Sequence, residues 1–183
     1  ELITSLKDPL IIAGLLLSAL KKIVEVGMHM SHEITDLGRS MGLTRDAAES
    51  VYKSIKKSAV ASGSLVANSI EMASAQRSIA KITGTTAKAT GKELEAQVAL
   101  TKLAGLSNEQ AAELYKYSLL TGESSEDIYD SIAAQGDGLL INNEILKEAL
   151  EVEGQLAAQY KNDPKLIAAA VRQVKLLGIS LQQ

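Results

Sequence analysis

Apolar positions along the chain recur at intervals of three and four residues, and no stretch alternates in the way a half-buried strand would. This spacing predicts helices near 9–27, 31–41, 45–82, 92–104, 108–120, 124–134, 143–161 and 164–177, and therefore an all-α fold. The punctuation agrees with the periodicity. Both prolines follow Asp, in Lys7-Asp8-Pro9 and Asn162-Asp163-Pro164, so that Asp caps a helix and Pro takes the first helical position, where its missing amide is harmless. Thr90-Gly91-Lys92-Glu93 and Ser107-Asn108-Glu109-Gln110 are capping boxes, in which the hydroxyl accepts from an amide three residues on while Glu or Gln reaches back. Thr44, Ser124 or Ser125, and Asn142 or Asn143 are simpler caps.

A recurring corner joins these elements. Gly42-Leu43-Thr44, Gly105-Leu106-Ser107 and Gly178-Ile179-Ser180 each give Gly, an apolar residue and a hydroxyl N-cap, which suits a left-handed helix end followed at once by a new helix. Gly122-Glu123-Ser124 is a weaker copy, and the uneven spacing rules out a solenoid of fixed period. The small, polar segment Thr83 to Gly91 reads as a loop, and Gln135 to Ile141 as a second. The organisation expected is an apolar N-terminal helix and long Ala/Ser-rich helices over 1–82, a linker over 83–91, and a cluster of short helices over 92–183. Within 45–82, Leu65, Met72 and Ile79 stand seven apart, with Asn68, Ala75 and Ile82 three residues after each. Two readings stand side by side: an amphipathic helix buried in its own chain, or an oligomeric coiled coil, with Gly63 placed to bend or break either.

The most apolar run, Pro9 to Leu20, is too short to span a bilayer alone, which takes ~20 predominantly apolar residues. Glu1 and Asp8 stand where a signal peptide would be basic. With Ile23, Val24 and Val26 continuing the pattern, the segment reads as a buried helix or an oligomer seam, host-membrane contact being the alternative. Leu10, Ile11, Ile12, Leu15, Leu16, Leu17, Leu20, Ile23 and Val24 occupy more than one helical face, so a homo-oligomer is expected. The chain opens on Glu1 and closes on Ser180-Leu181-Gln182-Gln183, a capping box that starts a helix, and a piece of a longer protein is the expectation.

Composition narrows the chemistry. The chain has no Phe, Trp or Cys and five Tyr; its apolar content is Leu, Ile, Val and much Ala, suited to close helix–helix contact. A net charge of −3 and a pI near 5.5 argue against specific nucleic acid binding, which draws on clustered Lys and Arg. The two His, His29 and His32, share a helix face with Glu33 beside them, but no third ligand is in evidence and no metal site is expected. Thr90-Gly91-Lys92 resembles the end of a phosphate loop, yet Thr86 stands where Gly belongs and Glu93 where a magnesium-binding hydroxyl belongs. Around Gly138, Asp137 and Glu144 mimic half a calcium loop, but Ala133 and Gln135 occupy ligand positions. Glu126-Asp127 and Glu151 with Glu153 fit solvated helix faces, and Lys53, Lys56 and Lys57 form a one-face basic cluster. We therefore expect no catalytic residues, no cofactor and no enzyme.

From Glu33-Ile34-Thr35-Asp36-Leu37-Gly38-Arg39-Ser40-Met41-Gly42-Leu43-Thr44-Arg45-Asp46-Ala47 onward, the sequence resembles tail tape-measure proteins of bacteriophages. The resemblance runs through Thr90-Gly91-Lys92-Glu93-Leu94-Glu95, Lys102 to Ala111 and Tyr117 to Ser124, and covers most of residues 33–183. It implies a long helical virion protein in the tail lumen or at the tail tip, which sets tube length during assembly and leaves the tail during genome delivery. Implied partners are tail tube, tail tip or baseplate proteins. The motifs are helix punctuation, so no site residue is carried over. A membrane-active ejected or pore-forming helical protein, using Pro9 to Val26, is the second expectation.

Overall fold

The computed structural model describes residues 9–64, 66–84, 86, 88–134, 142–152 and 154–177, without the side chains of 9–16, 19, 23, 26, 142, 143 and 154. The Asp8 cap, the Gln135–Ile141 loop with its partial calcium motif, Leu65, Glu153, the corner at Gly178 and the box at Ser180 lie outside the described residues, as do the side chains of Leu10, Ile11, Ile12, Leu15, Leu16 and Ile23. Every regular element among the described residues is an α-helix: α1 Pro9–Met41, α2 Arg45–Ser62, α3 Ser69–Thr83, α4 Gly91–Lys102, α5 Asn108–Thr121, α6 Ser125–Ala133, α7 Asn142–Glu151, α8 Gly154–Gln159 and α9 Pro164–Leu176. The fold is all-α.

Local chemistry sets the ends. Thr44, Thr90, Ser107, Ser124 and Asp163 each accept from an amide of the helix they open, and Thr90 with Glu93 and Ser107 with Gln110 form complete boxes. Each such cap is worth ~1 kcal/mol. At the end of α1, Gly42 takes φ +63°, and the Leu43 amide returns to the Gly38 carbonyl at 2.8 Å. Any side chain at Gly42 would strain that left-handed backbone.

Three boundaries differ from those expected. The helices expected at 9–27 and 31–41 are one, because Gly27 alone costs only ~1 kcal/mol relative to Ala and nothing else between them stops a helix. The stretch 45–82 is instead two helices. Gly63 ends α2 at φ +60°, the Ser64 hydroxyl accepts from the Val66 and Ala67 amides at 3.2 and 3.3 Å, and Asn68 with Glu71 opens α3 as a capping box. The stretch 143–161 is also broken, between Glu151 and Gly154. There Val152 leaves the helix and turns inward to 7% exposure, and Gly154 opens the next one.

The helices gather around two apolar clusters. In the first, Ile34, Leu37 and Met41 of α1 meet Val51, Tyr52 and Ile55 of α2, with Met72 and Ile79 of α3 and Val98 of α4 beneath them. Met72, Ala75 and Ile79 of the heptad pattern are thus buried by their own chain, while Asn68 is a cap. Gly38 lets α1 approach α2 closely: a Cβ there would lie 3.3 Å from the Ala48 Cβ. The second cluster joins Leu100, Leu114, Ile128, Leu146, Ile167 and Val171, so α4 and α5 contribute to both. Buried polar groups are tied across elements. Gln97 donates to the Ser125 hydroxyl at 3.1 Å, and Gln76 accepts from the Ala89 amide at 2.9 Å, fixing the approach to α4.

Candidate functional site

The structure disperses the residues that carried chemical promise. His29 and His32 are both exposed on α1, and the carboxylate of Glu33 is engaged by the Arg77 guanidinium of α3. No group of three or more His, Asp or Glu side chains placed to hold a metal occurs among the described residues. The phosphate-loop look-alike is a helix start: the Thr90 hydroxyl accepts from the Glu93 amide at 3.3 Å, and the Glu93 carboxylate from the Thr90 amide at 2.6 Å. Asp127 accepts from the Ser124 hydroxyl at 2.7 Å at the head of α6. In the basic cluster, Lys53 pairs with Glu49 at 2.8 Å, and its hydrogen bond holds the Glu49 carboxyl below its ordinary range.

Two clefts were not foreseen. One of about 490 Å³ lies beside Tyr117, Leu150, Val152 and Pro164. The Tyr117 hydroxyl is buried with no hydrogen-bond partner among the described residues; burial, with Asp163 and Glu113 nearby, pushes its pKa up to about 12. That hydroxyl is sealed from solvent, so it is not presented to anything entering the cleft. The other cleft, about 500 Å³, lies where α1 leaves the body, between Lys22, Glu25, His29 and Glu33 on one side and Tyr52, Lys56 and Ile70 on the other.

The feature with functional content is α1 itself. Helical rise makes its 33 residues about 50 Å long. Ile34, Leu37 and Met41 fix its C-terminal part to the body. By contrast, every described side chain from Leu17 to Met30 is exposed. Within that stretch Leu17 is 68% exposed, Leu20 56%, Val24 57% and Met28 55%. At 100° per residue these four share one face, with Lys21 and Glu25 along one edge of it and Ser18, His29 and Lys22 farther round the helix. Isolated exposed aliphatics are ordinary, whereas these four form a continuous apolar stripe over three turns.

No family model matches the chain, and neither a curated protein nor a solved structure shows significant similarity to it. What the fold and the exposures define is an all-helical chain with an exposed apolar stripe on α1.

Proposed function

We propose that this chain is a structural segment of a bacteriophage tail tape-measure protein, housed in the tail lumen or at the tail tip. In this reading it works by helix packing against copies of itself and against tail tube, tail tip or baseplate proteins, helps set tail length, and leaves the tail as the genome is delivered. It performs no enzymatic step and takes no cofactor. The observation that carries the reading is α1, an extended helix with its apolar stripe uncovered from Leu17 to Met28. The tail assignment itself rests on the resemblance of residues 33–183.

The test is tail length. In-frame additions or deletions in the helical part of the parent chain should lengthen or shorten the tail in proportion, by at most 1.5 Å per helical residue, as measured by electron microscopy. Unchanged tails would contradict a length-setting role. The same stripe also suits a membrane-active ejected protein. Lys21 and Glu25 flank it, and among the described residues no helix is long and apolar enough to cross a membrane. Flotation with liposomes separates the two readings.

A further inference from the structure

We infer that the exposed stripe of α1 is covered by the same stripe of a second copy, turned end for end about a two-fold axis at Val24. This names the partner for the self-association in the proposed function and rests on that reading. The stripe lies well round the helix from Ile34, Leu37 and Met41, so the helices that bury those residues do not reach it. Leu20, Val24 and Met28 form one row spaced by four, and equal rows interdigitate in the commonest class of helix packing.

That row is symmetric about Val24. Reversal sets Leu20 of one copy against Met28 of the other and Val24 against Val24, while Leu17 comes level with Ser31, whose hydroxyl accepts from Arg45 at 3.2 Å and marks the end of the free stripe. No charge lies in the row. Along its edge run Lys21 and Glu25, both exposed, and the same reversal brings Lys21 of each copy within about two residues' rise of the other's Glu25. The two ion pairs arise together because an isologous contact repeats every interaction. A parallel pair would instead set Lys21 level with Lys21 and Glu25 with Glu25.

The chain has no cysteine, which makes single-cysteine oxidation a clean test. Light scattering of the 183-residue chain at tens of micromolar should give twice the chain mass. Val24→Cys should then form a disulfide-linked dimer in high yield, whereas Leu17→Cys, whose partner copy would lie about 20 Å away along the axis, should not. Lys21→Glu should lower the dimer fraction, and Lys21→Glu with Glu25→Lys should restore it. Because these side chains are exposed, the circular dichroism melt of a monomeric variant should keep the wild-type helical signal. A dimer that cross-links at Leu17→Cys as readily as at Val24→Cys would overturn the end-for-end arrangement while leaving self-association standing. A monomer, whether free or taken up by vesicles, would overturn both.

Discussion

Replacing Gly91 with Ala tests how closely α4 meets α2. A Cβ built on Gly91 would lie 2.6 Å from the Cβ of Ser58 and 2.7 Å from its Oγ. Non-bonded carbons rest at about 3.5–4.0 Å, so the contact has to open by roughly 1 Å. Rotating the serine moves only its Oγ; its Cβ is fixed to the α2 backbone, so a helix must shift. Overpacking of this kind costs ~1–3 kcal/mol. The better helix propensity of Ala returns at most ~1 kcal/mol, so a clash near the middle of that range leaves a net loss of roughly 1–2 kcal/mol. At this size the melting temperature should fall by about 2–8 °C, and the urea midpoint should drop with an unchanged slope. Ser58→Gly removes the obstructing atoms, so the double variant should be at least ~1 kcal/mol more stable than the sum of the two single changes. A Gly91→Ala protein as stable as wild type, or strictly additive changes, would refute the close approach.

Tyr117→Phe should leave stability unchanged or raise it by up to ~1 kcal/mol, since it removes a buried hydroxyl without a partner among the described residues; a urea midpoint that falls would show that the hydroxyl is satisfied. Because the Tyr117 pKa is about 12 in the fold and near 10 when exposed, the unfolded chain loses its proton first, and stability should decline as pH rises between those values. Alkaline unfolding curves of wild type and Tyr117→Phe should differ accordingly. At Glu71, burial opposes the charged form, but bonds from Lys102 and Asn68 outweigh it and hold the carboxyl below its ordinary range. Its contribution should be present above the unfolded-state pKa and be lost as pH falls through the folded one, and acid titration of Lys102→Ala should show a weaker dependence. Ser107→Ala should cost ~1 kcal/mol by removing one arm of the box that opens α5, read as a lower melting temperature.

Helix starts were legible in the sequence because a cap is a local device: the residues that accept and donate at Thr90 and Ser107 lie within one turn. The break after α2 is legible in Gly63, but the capping box of Asn68 and Glu71 that opens α3 is hidden because Asn68 also falls on a heptad position. Burial of Met72 and Ile79 agrees with the first of the two readings, since a seven-residue apolar repeat forms equally well against helices of the same chain. The union of 9–27 with 31–41 was not legible, since a single Gly is too weak a signal to say whether a helix stops. For the interaction surface, the sequence showed that the N-terminal helix is apolar on several faces. Which face stays uncovered depends on where α2 and α3 dock at Ile34, Leu37 and Met41, and that is tertiary information. The Gly91–Ser58 contact joins residues of separate helices and left no local trace.

The claim that this chain belongs to a tail is tested most directly by peptide mapping of purified phage tails before and after the genome has been released. Peptides from the chain, such as the one running from Glu93 to Lys102, should be present in intact tails and depleted from emptied ones. Their absence from intact tails, or an equal amount before and after release, would contradict the account.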